Sequence, residues 1–219
     1  MANTLVKIIG AVSSPIETVR KDIADFTKAN SKLNREELAK KWCKQTINKY
    51  RRLGEVSALP GSIPGLGTAA QIAIEGGMIT GDTALLIRWA YHMCAGVALI
   101  YNRDMDTKTF ADFIIILAKW CGVVKTAQPV VKKAATKVAV AKFNKHISGR
   151  MLTKINQKLS TTIFTKYGTK RGVIPLGKMV PFGVGVAIAG GFNHFTMKAI
   201  SKHALEYFAS DSLEFEMVE

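Results

Sequence analysis

Between Asp112 and Glu206 the chain has no aspartate or glutamate, a gap of 93 residues. Sixteen lysines and arginines lie in this gap, whereas the fifteen outside it nearly balance the sixteen acids of the whole chain. A field of one sign on this scale attracts polyanions, either nucleic acid or an anionic lipid surface. The tail from Glu206 carries five acids and no base, and is predicted to dock on or screen this cationic block. We expect eleven of the sixteen to bind the polyanion: Lys132, Lys133, Lys137, Lys142, Lys145, Arg150, Lys154, Lys158, Lys166, Lys170 and Arg171.

Cysteine is scarce, and the motifs of several enzyme classes are missing. The three cysteines are far apart and have neither CxxC nor CxxH spacing, which argues against a disulfide framework or a zinc site and favours a reducing interior. The chain has no HExxH or GxSxG, and its GxG pieces lack a following GK[ST]. We therefore predict no metal and no cofactor, and we favour a binding protein over an enzyme.

Long uninterrupted apolar runs are also absent. The longest charge-free runs cover residues 56–74, 89–102 and 179–197. The first and third approach the roughly twenty residues of a membrane span but contain proline and several glycines, and the second is too short. The N-terminus lacks the apolar core of a cleaved secretory signal. These features favour a soluble or peripheral protein.

Helical patterns dominate the sequence. A helix is predicted from Ser31 or Asn34 to Gly54, with Leu38 and Trp42 on its core side. Residues 83–101 are apolar on most of a helical circumference, as expected of a core helix, and residues 111–124 favour another buried helix. Residues 126–166 read as one or two cationic amphipathic helices. The fold class predicted is all-α, a single domain of long helices.

Two glycine-rich segments have similar sequence patterns. In each, a proline precedes small residues that lead to a paired glycine, in IAIEGG at 72–77 and VAIAGG at 186–191. Small residues at helical spacing let two backbones approach closely. We expect two helical hairpins packed against each other in the core, with these motif residues: Pro64, Gly76, Gly77, Pro181, Gly190 and Gly191.

The two segments carry a family resemblance. Residues 174–208, with the Asn-x-x-Thr at Asn193–Thr196, and residues 59–102 resemble the conserved blocks of the bacterial EcsC family. One departure is Asn102, which stands where glycine is expected after the tyrosine. The resemblance implies a helical fold in a bacterial or phage setting, and it implies no established catalytic activity. It suggests an N-terminal segment over 1–30, an EcsC-like helical domain over 31–208 and an acidic tail over 209–219.

An acid–base site is a competing hypothesis. If the hairpins pack together, Glu75 would approach Asn193 and His194, and a carboxylate beside an imidazole in a dry core would have a perturbed pKa. The simpler interpretation is that Asn193 caps or bridges helices and that His194 is satisfied by hydrogen bonds.

The function predicted is peripheral, non-enzymatic association with anionic membranes through the lysine-rich amphipathic helix, with hairpin insertion as an extension. The amphipathic run 146–166 supplies the cationic face that such binding needs. We expect a cytoplasmic protein at the inner face of the membrane, with an anionic lipid surface as partner and no protein partner identified. The alternatives are a nucleic-acid-binding helical protein, a membrane-permeabilising effector and an enzyme with a Glu75/His194 site.

Overall fold

The structure, a computed structural model, describes residues 2–56, 81–108, 110–122, 124–126, 182–210 and 215–217. Within them, side chains are described for 6–52, 84–108, 110–122 and 194–210. The described part is mostly helical, with six helices and one pair of very short strands. The helical class predicted from the sequence is confirmed at this level. The helices are α1 (Ala2–Val12), α2 (Ile16–Ala29), α3 (Arg35–Val56), α4 (Gly81–Ile100), α5 (Ala111–Trp120) and α6 (Phe182–Ala209).

The starts of α2 and α3 follow their local sequences. Pro15 precedes the first residue of α2, where a missing N–H costs no helical hydrogen bond. At α3 the Asn34 side chain accepts from the Glu37 N–H at 2.9 Å, and the Glu37 carboxylate accepts from the Asn34 N–H at 3.1 Å. This reciprocal pair satisfies two of the free donors at the helix start. Of the two predicted caps, Ser31 and Asn34, the structure has Asn34 at the helix start. The helix runs through Gly54 to Val56, two residues past the predicted end.

Helix α4 occupies the centre of the core. It contacts α1, α2, α3 and α6, and nearly all of its described side chains are buried. Its sequence is apolar almost all round because other helices surround it. One hydrophobic cluster includes side chains from all six helices, so α1 and α2 share the core with the rest. The predicted division into 1–30, 31–208 and 209–219 stays a prediction.

Asn102 ends α4 in a left-handed conformation. Its φ is 55°, its N–H donates to the Leu99 carbonyl at 3.0 Å, and the Arg103 N–H donates to the Ala98 carbonyl at 2.9 Å. This is the Schellman pattern, in which glycine is the usual residue at the left-handed position. Asparagine is among the few other residues that adopt this conformation readily. Asn102 therefore fills the place where the family pattern led us to expect glycine.

The last elements bring the C-terminal tail to the start of the cationic block. The predicted buried helix at 111–124 is confirmed as α5, though it ends at Trp120. Strand β1 (Val124–Thr126) pairs antiparallel with β2 (Phe215–Met217), and Lys125 stands opposite Glu216. The acidic tail thus pairs through its backbone with the first residues after α5.

Only the end of the second glycine-rich segment is described. From Phe182 onward it is helical, and it continues without a turn through Gly190 and Gly191 to Ala209. The paired glycine of this segment therefore lies inside one continuous helix. The rest of the two hairpins, with Pro64, Gly76, Gly77 and Pro181, and the predicted helices of 126–166 lie outside the described residues. The hairpins stay a prediction.

Candidate functional site

Helix α3 has two opposite faces. Its buried side consists of apolar and small side chains that pack on α4 and α6: Leu38, Ala39, Trp42, Cys43, Thr46, Ile47 and Tyr50. At 100° per residue these positions occupy one half of the helix circumference. Exposed cations lie on the other half and at its edge. Five of them line one groove, and we call these five the cationic face: Lys40, Lys41, Lys44, Lys49 and Arg52.

An open groove of about 670 Å³ lies along this face. Its described lining is the cationic face together with the amides of Gln45 and Asn48. No acidic and no aromatic side chain is part of that described lining. A concave surface lined by ammonium, guanidinium and amide donors suits a ligand with several anionic oxygens.

Two of the five cations have local partners. Lys40 Nζ lies 2.5 Å from a Glu36 carboxylate oxygen one turn earlier, which raises the pKa of Lys40 and lowers the pKa of Glu36. Lys41 Nζ donates to the Asn30 side-chain oxygen at 2.6 Å. Glu36 is exposed and Asn30 is half-buried, and both contacts lie at the surface, so solvent competes with them and salt weakens the ion pair.

The cationic face was not identified from the sequence. In the sequence, Leu38 and Trp42 indicate a core helix, and its bases appear only as part of the positive charge that balances the acids. The signal was present in the spacing of KKWCKQTINKYRR, because the bases at 40, 44, 41 and 52 fall on one side of a helical projection. Projecting charged positions as well as apolar ones would have revealed it.

The predicted polyanion-binding residues from Lys132 to Arg171 all lie outside the described residues, as does Glu75. The pairing of Glu75 with His194 stays a prediction. His194 is half-buried, and its Nδ1 has no hydrogen-bond partner among the described residues. Its ring meets the ring of Phe195 edge to face at 6.0 Å between centroids.

The Asn-x-x-Thr motif lies inside α6. Asn193 belongs to the continuous helical backbone, so it does not stand at a described helix end. Thr196 is buried, with 8 % of its surface exposed. The next residue, Met197, is fully buried and belongs to the apolar side of α6.

A second polar cluster surrounds His92 of α4. Its Nε2 lies 3.4 Å from an Asp22 carboxylate oxygen, and its ring stacks on Trp42 at 5.4 Å and lies 5.6 Å from Trp89. Burial lowers the pKa of His92 to about 4; Asp22 opposes the shift, while Lys49 and Arg88 add to it. The imidazole is therefore neutral near pH 7 and serves as a stacked ring between helices.

A third cluster joins α5 to α6. The Tyr207 hydroxyl donates to Asp112 at 2.5 Å, and burial, with Asp112 adding to it, raises the pKa of Tyr207. Nearby, the buried Lys119 reaches Glu206 at 3.4 Å, and Glu206 also lies 3.6 Å from His203. The hydrogen bonds of Tyr207 with Asp112 and of Lys119 with Glu206 satisfy polar groups at a helix interface, which is a structural role.

The described residues contain no group of three or more His, Cys, Asp or Glu side chains placed to hold a metal ion. Among the helices that the structure describes, none has both the length and the apolar character needed to cross a bilayer.

Comparison with known proteins adds no relative. No protein-family model matches the chain, and neither do any curated protein or solved structure. The resemblance to the EcsC family therefore stays a prediction, and the candidate function rests on the geometry of the cationic face.

Proposed function

We propose that this protein binds peripherally to anionic membrane surfaces, with the cationic face of α3 as one contact. The observation that carries the proposal is that five exposed cations of α3 line one groove together with the amides of Gln45 and Asn48. The net charge of +15 acts in the same direction over a longer range. Anionic lipids are concentrated in the cytoplasmic leaflet, so the inner face of the membrane is the proposed location.

The chemistry of the groove favours lipid headgroups over nucleic acid. Four of its five cations are lysines, which act as hydrated point charges, whereas base reading favours the planar fork of arginine. Its described lining also offers no aromatic ring on which an unpaired base would stack. Such a surface is suited to non-directional electrostatic attraction of phosphate groups.

The magnitude is adequate for reversible binding. Each lysine or arginine near an anionic bilayer contributes about 1 kcal/mol. With Lys40 set aside because Glu36 partly neutralises it, the other four cations would contribute about 4 kcal/mol, which is about a thousandfold in affinity. The lysine-rich residues 132–171 are proposed to add to this contribution.

The test compares two variants of equal net charge. The face variant carries K41Q, K44Q, K49Q and R52Q, and the control variant carries K7Q, K21Q, K28Q and K32Q at exposed lysines of α1, α2 and the turn after it. Each variant loses four positive charges, so bulk electrostatics change equally. Binding is measured by co-sedimentation with vesicles of graded anionic lipid content, at low and high salt.

We expect the face variant to bind at least tenfold more weakly than the control variant, with a shallower dependence on salt. Equal binding of the two variants would contradict the role of the cationic face. Circular dichroism of both variants checks that the helices are intact, which the exposure of all eight positions leads us to expect.

The same samples separate the alternatives. Competing duplex DNA that removes the protein from vesicles at equal charge concentration would favour nucleic acid as the ligand. Release of a trapped dye from the vesicles would favour a permeabilising effector. The proposal predicts retention on vesicles and no dye release.

A further inference from the structure

The described end of α6 has a cationic ridge that starts with an aromatic ring. Among the described residues, Phe195 is the one large apolar side chain that is exposed, and 72 % of its surface is accessible. Lys198 and Lys202 follow one and two turns later on the same side of the helix, and both are exposed. We call these three residues the aromatic ridge.

The ridge points away from the core. The buried side of α6 carries Met197, Ile200 and Ala204, which lie on the opposite half of the helix circumference. The ring of Phe195 therefore cannot be buried in the core unless the whole helix rotates. Its burial requires a partner that is not among the described residues.

The residue that follows along the ridge is Glu206, and its charge is already compensated. Its carboxylate lies 3.4 Å from Lys119 Nζ and 3.6 Å from His203 Nδ1. Within the part of the chain that the structure describes, no acid forms an ion pair with Lys198 or Lys202, which lie beside the ring. Their charge suits a surface of negative headgroups, and the ring suits the apolar layer immediately beneath such headgroups.

We propose that the aromatic ridge is an interfacial anchor: Phe195 inserts its ring among the lipids of an anionic bilayer while Lys198 and Lys202 contact the headgroups. This inference deepens the proposed function, because both name an anionic bilayer as the ligand. The two surfaces contribute different kinds of binding energy. The cationic face supplies electrostatic attraction that salt weakens, whereas the Phe195 ring supplies a hydrophobic contribution that salt does not screen.

The first experiment compares Phe195→Ser with Phe195→Leu and with the unaltered chain. Affinity is measured for vesicles of phosphatidylglycerol and phosphatidylcholine at low and high salt, and for heparin, a polyanion without an apolar interior. Removing a ring that becomes buried is expected to weaken vesicle binding about 10- to 100-fold at high salt. Phe195→Leu should restore most of that loss, and heparin affinity should be the same in all three proteins.

The second experiment places a reporter in the bilayer. Phe195→Trp should show blue-shifted emission on vesicle binding and quenching by lipids brominated near the top of their acyl chains. The signal of Trp42, Trp89 and Trp120 in the unaltered chain is subtracted. An emission that stays at its aqueous wavelength on bound vesicles would overturn the anchor.

The outcomes distinguish this inference from the function on which it rests. If the unaltered chain does not bind anionic vesicles at all, the proposed function fails and the anchor fails with it. If it binds and Phe195→Ser binds equally well at high salt, only the anchor is overturned. A parallel loss of heparin affinity in Phe195→Ser would also overturn it, since the ring would then serve polyanion contact or folding instead of lipid insertion.

Discussion

Replacing His92 by phenylalanine should remove a large part of the acid sensitivity of this protein. The imidazole is only 8 % exposed at the junction of α2, α3 and α4, where Trp42 and Trp89 flank it and Asp22 lies 3.4 Å from its Nε2. Phenylalanine keeps an aromatic ring in that place but binds no proton. Asp22 is 42 % exposed, so it remains hydrated when its partner is lost.

The magnitude follows from the pKa in the two states. Burial lowers the pKa of His92 to about 4 in the folded protein, against about 6.5 in the unfolded chain. Between these values the unfolded state holds a proton that the folded state lacks, so stability is full above pH 6.5 and falls as the pH drops towards 4. The loss is about 2 kcal/mol between pH 7 and pH 5, and about 3 kcal/mol at its limit.

The assay is urea unfolding followed by tryptophan fluorescence at pH 7, 6 and 5. The unaltered protein should lose about 2 kcal/mol more free energy of unfolding over this range than His92→Phe does. His203, whose pKa burial also lowers, is present in both proteins, so its contribution cancels in the difference. Parallel pH profiles for the two proteins would refute the assignment of a buried, neutral imidazole.

Two further predictions test the packing. Gly96→Ala should lower the free energy of unfolding by about 1–3 kcal/mol, because its Cβ would lie 2.7 Å from Trp42 Cζ2 and closer still to two other indole atoms. Gly10→Ala is its matched control, since that Cβ would meet Phe110 at an ordinary 3.5 Å, and it should be neutral or stabilising. Thermal unfolding measures both, and equal melting temperatures would contradict the close approach of α3 and α4. Asn102→Ala should destabilise by about 1 kcal/mol while Asn102→Gly should not, because only alanine is strained at φ 55°; equal urea midpoints for the two would argue against the left-handed end of α4.

The sequence predicted the helices well where local signals and burial agree. The sequence predicted that α3 starts at Ser31 or Asn34, and Asn34 caps it in the structure. The nearly continuous apolar run of α4 predicted a core helix. Both signals act within one or two turns, so they need no knowledge of the tertiary fold. The end of α3 was harder, because Gly54 is tolerated inside a helix when tertiary packing supports the last turn.

The candidate site was less predictable. A count of charges along the chain drew attention to the acid-free residues 113–205, which the structure describes only in part. The cationic face of α3 depends on the direction in which each side chain points, and that direction becomes known only when the buried half of the helix is fixed. The exposure of Phe195 could not be predicted for the same reason, because its local sequence does not indicate that its side of α6 faces outward.

Vesicle affinity of the face variant, K41Q/K44Q/K49Q/R52Q, relative to the control variant of equal net charge tests the central claim most directly. The account predicts that the face variant binds anionic vesicles at least tenfold more weakly, and that the difference shrinks as salt is raised. Equal affinities at low salt would contradict a membrane-binding role for the cationic face.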